Sequence, residues 1–333
     1  MATDPLADLL RGLRFRSAVF YLVSGGEGWA ASAPVAGELA EVLLPGVEHV
    51  MEYHFVVRGR AWAVLEGQDP VPLAEGEAVV FPQGDAHVIT SRPGLRPAPA
   101  DPAWYRATRE VPKPLPIHLR GLTEITPGDL DPDADTVLAC GFLGCDLRPF
   151  NPLISSLPRL LPVPAGGAGE ALRPLLTQAM AAVEAGQAGA SAALDRLGEL
   201  LLVEAVRGYL SALPEQAMAG WLAALRDGPL ARALTALHAD PAREWSVEAL
   251  AAEAALSRSA FHERFTAVVG VPPMQYLTHW RLQEASRRLL ETDDSVTAVA
   301  LEVGYGSEAA FSRAFRRLTG SPPAQWRRQR RGT

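Results

Sequence analysis

Three scarcities bound what this sequence can be. It holds one lysine, Lys113, and every other member of its 31 basic residues is arginine. That imbalance reads as genome base composition rather than as selection for bidentate phosphate binding. It holds two cysteines, Cys140 and Cys145, in 333 residues. So few thiols exclude a disulfide-stapled scaffold and fit a reducing compartment. No apolar run reaches the length of a membrane-crossing helix, and Met1–Asp8 is polar and acidic rather than basic and then apolar. The expectation is therefore a chain with no membrane partner and no secretory leader.

What the sequence does have is a repetition. Ser257, Phe261, Phe265, Gly270, Pro272, Pro273, Gln275 and Tyr276 return 50 residues later as Ser307, Phe311, Phe315, Gly320, Pro322, Pro323, Gln325 and Trp326. Two copies of one unit are too few for a solenoid and imply a tandem pair. In the first copy Ser246 caps a short helix with Val247, Leu250 and Ala251 at helical spacing. A break at Ala254-Ala255-Leu256 leads to a second cap, Ser257, and to Phe261 and Phe265 on one helix face. Gly270 ends that helix, and Pro272-Pro273 keeps it from resuming. Short helix, tight turn and second short helix are the layout of a helix-turn-helix. The second copy runs over Ser295–Val303, turns at Gly304-Tyr305-Gly306 and resumes from Ser307. Met274–Glu291 reads as a long helix joining the two.

If the phenylalanines are core, the informative residues lie on the opposite face of each second helix. These are Arg258, Ser259, His262 and Glu263 in the first copy, and Ser307, Glu308, Ala309, Ser312 and Arg313 in the second. A second helix of this motif enters the major groove with its N-terminal half against base edges. Arginine pairs bidentately with guanine, and small polar side chains suit several bases. Arg316, Arg317 and the terminal Arg327, Arg328, Arg330 and Arg331 suit phosphate contacts. Residues 230–333 hold 14 Arg against 11 Asp and Glu, a net of +3 in a chain of net −7, so residues 1–229 carry −10. The alternative for one such unit alone is a helical bundle with a solvated charged face.

The runs Leu256–Phe265 and Gly270–Leu277, repeated as Val303–Arg317 and Gly320–Arg327, resemble the DNA-binding domain of AraC/XylS-type transcription regulators. The resemblance covers about 100 residues. It implies two recognition helices in successive major-groove faces of one promoter, a homodimer, contact with RNA polymerase, and a place on the nucleoid in the cytoplasm. One departure is Ala254-Ala255, where the family carries a turn glycine; this costs little if the backbone there avoids the left-handed region.

Residues 1–165 read differently, as short apolar runs broken by Gly and Pro, the pattern of an all-β sandwich or barrel. Candidate strands are Ala18–Val23, Glu52–Val57, Ala61–Leu65, Val71–Leu73 and Ala78–Phe81. Gly76-x5-Pro82-x-Gly84-x2-His87 resembles the second cupin motif, with Ser91 where asparagine is usual. Gly46-x5-Glu52-x-His54 resembles the first, with Glu52 replacing its first histidine. Asp4–Leu10 and Cys140–Leu157 also resemble the cupin-type sensor domain of one AraC branch. Cupins hold a metal by three histidines and a glutamate. Here His54, His87 and Glu52 supply three donors, and the remaining glutamate is replaced at Arg58 or Gly59. These residues are candidates for a divalent metal, for an unidentified small-molecule effector, or for structural histidines. Cys140 and Cys145 are candidates for a redox switch if Gly141 and Gly144 form a turn, and otherwise are two small buried hydrophobes.

Pro162–Gly169 reads as a linker break. Helical patterns follow at Ala171–Ala185 and Ala192–Leu213, the second with Leu197, Leu200, Leu201, Val203, Val206 and Leu210 on a broad apolar face. That face is expected either to pack on its own domain or to form a dimer seam, which the resemblance favours. The expected architecture is an all-β cupin-like barrel (1–165), a helical linker and dimerisation region (166–228), and an all-α tandem helix-turn-helix domain (229–333). The expected function is sequence-specific DNA binding controlled by an unidentified small molecule or a redox signal sensed by the cupin-like domain, without enzymatic activity. A metal-dependent cupin enzyme with a DNA-binding appendage is the competing reading.

Overall fold

The structure is a computed structural model that describes residues 4–12, 15–108, 111, 113–128, 130–146, 149–166, 170–212 and 220–331. It divides into two compact units. One comprises Phe15–Asp146 and Leu157–Ala212; the other comprises Met1–Arg14, Leu147–Ser156 and Leu213–Thr333.

The β-rich unit contains β1 (Arg16–Gly25), β2 (Ala30–Ala33), β3 (His49–Arg58), β4 (Arg60–Leu65), β5 (Val71–Ala74), β6 (Ala78–Phe81), β7 (His87–Thr90), β8 (Leu115–Arg120), β9 (Glu124–Pro127), β10 (Thr136–Cys145) and β11 (Leu161–Val163). These form a seven-stranded sheet in the order β11-β6-β3-β10-β1-β8-β9 and a four-stranded sheet in the order β2-β7-β4-β5. Every pairing is antiparallel except β1 with β8. The expected barrel is thus two sheets rather than one closed ring. Residues from both sheets, among them Tyr21, Phe81 and Phe142 from one and Leu65 and Ile89 from the other, meet in one hydrophobic cluster. All five candidate strands lie within observed ones. β10 is buried on both faces throughout, so it lacks the alternation that marks a half-exposed strand.

Helices α2 (Ala36–Leu43), α3 (Pro102–Ala107), α5 (Glu170–Glu184) and α6 (Ala190–Ala212) complete this unit. α6 packs on β1, β11 and α5, burying Leu201 and Val206, while Leu200 remains exposed. Region 166–228 is therefore not one module: α5 and α6 cover the β sheets, whereas α7 (Gly220–Arg226) belongs to the helical unit.

The helical unit contains α1 (Pro5–Gly12), α4 (Pro152–Ser156), α7, α8 (Gly228–Ala239), α9 (Val247–Glu253), α10 (Arg258–Val269), α11 (Pro273–Glu291), α12 (Val296–Glu302), α13 (Glu308–Thr319) and α14 (Pro323–Arg331). Two segments whose sequence resembles a sensor domain are built into it. α1 packs on α8 and α11, and α4 on α7. Within this unit the Trp221 indole N–H donates to Tyr276 Oη at 2.7 Å, and the Tyr276 hydroxyl donates to His238 Nε2 at 2.8 Å. His238 Nδ1 then faces Asp8 of α1 at 3.7 Å. Burial lowers the His238 pKa, and the Asp8 carboxylate opposes that shift.

Both helix-turn-helix units start from serine caps. Ser246, Ser257, Ser295 and Ser307 each accept a hydrogen bond from the backbone N–H three residues on, an arrangement worth about 1 kcal/mol apiece. Gly270 and Gly320 end the second helices in the left-handed conformation. The proline pairs do more than stop them: Pro273 and Pro323 open α11 and α14 at the first helical position, where a missing N–H costs nothing. The chain beyond Pro323 is accordingly a helix whose Trp326 packs beneath Phe315 at 5.5 Å between ring centroids.

The two units are not offset uniformly. Ser246 and Ser295 are 49 residues apart and Ser257 and Ser307 are 50 apart, so the second turn is one residue longer. Ala255 has φ 54° and is the only non-glycine among the described residues in the left-handed region. Its partner by structure is Gly304, with φ 88°. The condition under which the alanine turn costs little is therefore not met: Leu256 N–H bonds to Ala251 O as Tyr305 N–H bonds to Ala300 O. That bond pattern requires the left-handed residue in both turns.

Candidate functional site

The second helices α10 and α13 bury one aromatic stripe each. Phe261, Phe265, Phe311 and Phe315 are at most 1% exposed, which fixes what the opposite face presents. On α10 that face carries exposed Arg258, Ser259, His262 and Glu263, and on α13 exposed Glu308, Ala309, Arg313, Arg316 and Arg317, with Ser312 half-buried and Ser307 at the cap. Arg258 is held by Glu248 of α9 at 2.7 Å, and Glu308 accepts a hydrogen bond from Thr297 of α12. Both contacts run between the two helices of one motif and set those side chains relative to the turn. Such exposed pairs contribute little to stability and exchange readily for a phosphate or a base edge.

The terminal arginines separate into two groups. Arg327 donates to Asp294 O at 2.6 Å, and Arg331 pairs with Asp293 and with the Leu290 and Thr292 carbonyls. These two tie α14 to the end of α11. Arg330 lies over the Trp326 ring at 5.0 Å, while Arg328 is exposed. Of the tail residues expected at phosphates, Arg327 and Arg331 are thus engaged in holding the fold.

In the β-rich unit the two cupin-type motifs converge. Glu52 and His54 alternate on β3, so they share a face, and His87 opens β7 on the other sheet. Gly84 makes the turn into β7 with φ 68°; a Cβ there would stand 2.6 Å from Val50 O. The carboxylate and imidazole donors of Glu52, His54 and His87 all lie within 4.8 Å of one another, and all three residues are buried. Cys140 stands opposite His54 in the β3–β10 ladder and joins the group from the same face.

Donor and acceptor roles follow from one carbonyl. His87 Nδ1 lies 2.8 Å from Asp85 O, so it carries the proton. The neutral ring's Nε2 then accepts from His54 Nε2 at 2.8 Å, leaving His54 Nδ1 to accept from the Cys140 thiol at 2.9 Å. Burial holds both imidazoles neutral: it brings His87 down to about 4 and His54 well below its ordinary value. The same desolvation pushes Glu52 up to about 8 and raises Cys140. Glu52 stands 3.7 Å from His54 and 4.0 Å from His87, and its Oε2 has no hydrogen-bond partner.

This donor set fits a divalent metal. Both Nε2 atoms and the Glu52 carboxylate lie within 4.8 Å of one another, one carboxyl oxygen has no hydrogen-bond partner, and the Asp85 carbonyl orients His87 as an outer-sphere partner does. Binding would require the His54 proton to pass from Nε2 to Nδ1, the Cys140 thiol to turn its hydrogen away from Nδ1, and Glu52 to ionise. Three protein ligands leave a coordination position for a small molecule.

Beside the cluster lies a cavity of about 70 Å³ lined by Tyr21, Trp29, Trp104, Tyr105, Ile125 and Leu138 along with Glu52, His54 and Cys140. A wider cavity of about 330 Å³ shares Ala31, Ser32, Trp104, Tyr105 and Ile125 with it and reaches Asp101 and Glu124. None of these lining aromatics belongs to the cupin motifs. The one sequence signal available was Asp101-Pro102-Ala103-Trp104-Tyr105, a helix cap followed by two adjacent aromatics; the Asp101 side chain accepts from Ala103 N–H.

Cys140 and Cys145 do not approach each other. Gly141 and Gly144 lie inside β10 in register with Tyr53 and Val50, so no turn brings the thiols together. The two are about 17 Å apart along an extended strand and point to opposite faces. Burial raises both thiols, Cys145 to about 12, which disfavours the thiolate that oxidation requires.

The comparisons with known proteins find the same two parts in sequence, with α1 and α4 falling inside the cupin match. Residues 4–211 match the Cupin family, and residues 250–329 match the Helix-turn-helix domain family. A putative AraC-like transcription regulator from Streptomyces lividans is 33% identical over 98% of both chains. The HTH-type transcriptional regulator MtrA of Neisseria gonorrhoeae is 27% identical over 83% of this chain and 85% of its own. Among solved structures, the DNA-binding domain of AdpA, a global transcriptional factor crystallised with a target DNA, is 38% identical. That match covers 31% of this chain and 94% of that one, with a TM-score of 0.31. Among the described residues no helix is long and apolar enough to cross a membrane. The cupin match at the front, the helix-turn-helix match at the back and a relative alike from end to end place the chain in the family of AraC-like transcription regulators, proteins that bind DNA.

Proposed function

We propose that α10 and α13 read a promoter in two successive stretches of major groove, and that the cupin cavity holds a small effector which changes how they are presented. The observation that carries the reading is the pair of matched second helices: each buries its phenylalanines and turns arginine and small polar residues outward. Arg258, Ser259, His262, Glu263, Ser307, Glu308, Ala309, Ser312 and Arg313 meet base edges, and Arg316 and Arg317 meet phosphates. Effector control requires a ligand with different affinity for two arrangements of the protein. Action in the cytoplasm as a homodimer, in contact with RNA polymerase, belongs to the same proposal; Leu175 of α5 and Leu200 of α6 are exposed apolar positions open to a second copy. We read the chain as a regulator without enzymatic activity of its own.

The test is fluorescence anisotropy with DNA upstream of the chain's own gene against a scrambled duplex, across a salt series. Tight, steeply salt-dependent binding to the native duplex and weak binding to the scrambled one is the expected result. Equal affinity for every duplex offered from its promoters refutes sequence-specific reading.

A second reading rests on the Glu52, His54 and His87 donors, which suit a divalent metal and therefore metal-dependent chemistry. Metal analysis of the purified chain beside His54→Ala and His87→Ala decides it: stoichiometric metal lost in both variants supports a metal centre, and its absence removes the enzyme reading.

A further inference from the structure

The cavity beside the histidine cluster restricts its occupant by what it offers and by what it withholds. Its inner chamber is walled by aromatic and aliphatic side chains, and among the described residues no arginine or lysine lines the chamber or the wider mouth. A carboxylate or phosphate entering would shed its water without meeting a cation, at a cost of several kcal/mol. The mouth carries Asp101 and Glu124, which repel anions further. An ammonium group would be drawn by those mouth carboxylates, but in the chamber it would shed its water against a single buried carboxyl, Glu52.

The chamber is not purely apolar in its demands. Trp29 and Glu52 line it, are at most 4% exposed, and each carries a buried polar atom, the indole N–H and Oε2, without a hydrogen-bond partner. An indole N–H can only donate, and buried donors in folded proteins are nearly always satisfied. What enters must therefore bring an acceptor oxygen or nitrogen. Size adds a limit. A dry cavity of about 150 Å³ takes benzene, so the 70 Å³ chamber holds part of a ligand, and the rest occupies the 330 Å³ mouth between Trp104 and Tyr105.

We propose that the effector is an uncharged, largely apolar molecule, aromatic or aliphatic, whose single oxygen-bearing end enters the inner chamber and accepts a hydrogen bond from Trp29. The inference rests on the effector reading above and not on the metal one. It is the class of an aromatic alcohol or ketone, as opposed to a sugar, a nucleotide, an amino acid or a carboxylic acid.

One skeleton with four heads tests it: 2-phenylethanol, phenylacetate, 2-phenylethylamine and ethylbenzene, titrated calorimetrically into the full chain. The alcohol is expected to bind about tenfold more tightly than either charged analogue, and several-fold more tightly than ethylbenzene. Trp29→Phe, which keeps the ring and removes the N–H, should cost the alcohol about fivefold and leave ethylbenzene unchanged. Preference for the carboxylate or the amine, binding of none of the four, or an unaltered alcohol affinity in Trp29→Phe each overturns the proposal. Anisotropy on promoter DNA with and without the alcohol separates the two claims. Binding that leaves DNA affinity untouched supports the ligand class and refutes effector control; loss of ligand binding with intact DNA recognition refutes the ligand class alone.

Discussion

Ala255 and Gly304 hold the same left-handed turn position in the two helix-turn-helix units, at φ 54° and 88°. Alanine pays about 1–2 kcal/mol for this conformation, and glycine loses part of that in the unfolded chain. Ala255→Gly should therefore stabilise the helical unit by about 0.5–1 kcal/mol. Gly304→Ala is not the mirror image. Its Cβ would stand 2.8 Å from Ala242 Cα and O and 2.9 Å from Arg281 Nη2, and Arg281 is itself bound to the Pro241 and Arg243 carbonyls. A loss of about 2 kcal/mol or more is expected. Urea unfolding of both variants measures the asymmetry; equal and opposite shifts would show that packing around Gly304 yields.

Arg313 and the pair Arg316 and Arg317 lie exposed on one helix but should fail differently. Arg313→Ala is expected to cost about 1–3 kcal/mol on the specific site and to relax choice at one base pair. Arg316→Ala and Arg317→Ala should weaken native and scrambled duplexes alike and lower the salt slope by about one each. A binding assay over a single-base substitution series distinguishes them. Uniform losses for Arg313→Ala would make it a phosphate contact.

The readable parts of this protein were the local ones. Serine caps, the Phe261–Phe265 and Phe311–Phe315 spacings and the joining helix all depend on residues within a few positions of one another, and the structure places each as the spacing implies. Glu52, His54 and His87 came together as the motif resemblance implied. What stayed hidden depends on distant pairing. Cys140 reaches His54 across 86 residues of sequence only through strand register. Phe150 N–H bonds Gln283 across 133, and with α1 this binds two apparent sensor segments into the helical unit. The one-residue difference between the turns does not show at the phenylalanines, which keep their offset of 50. The helix after Pro323 was hidden by reading a proline pair as a stop when its second member is also a good first residue.

In metal-free protein, the cluster gives stability a pH dependence of its own. Glu52 holds its proton in the fold up to about 8, against 4.5 for a free side chain. The folded state thus binds the extra proton between those values, and its stabilisation is complete below 4.5 and lost as pH rises through 8. His87 does the reverse: it titrates at about 4 in the fold and 6.5 outside it, so stability rises from pH 4 to 6.5. The opposing slopes leave a fall between pH 6.5 and 8 that belongs to Glu52. Glu52→Gln should flatten that fall and leave the histidine rise between pH 4.5 and 6.5 unopposed, and so steeper, in a Tm profile recorded with chelator. An unaltered slope above pH 6.5 would mean that the carboxyl is ionised within the fold.

Added zinc should raise the Tm of the full chain, since a ligand at 100 times its Kd contributes about 2.7 kcal/mol to the folded state. His54→Ala and His87→Ala should abolish the rise, and Cys140→Ser should retain most of it, because the thiol meets His54 at Nδ1, away from the converging Nε2 atoms. A rise that survives both histidine variants would place the metal elsewhere on the chain.

Oxidation of the native chain should not produce a Cys140–Cys145 disulfide. Both thiols are buried and lie on opposite faces of one extended strand, and a disulfide needs Cα atoms within about 7 Å of each other. Bridging them would require melting β10, the strand that pairs with both β1 and β3 at the centre of the large sheet. Peptide mapping after diamide treatment, without reduction, is expected to return both cysteines as thiols, whereas treatment in urea should allow the bridge to form. Recovery of the disulfide from folded protein with its DNA affinity altered would show that β10 opens under oxidation, and would restore a redox role that the strand geometry denies.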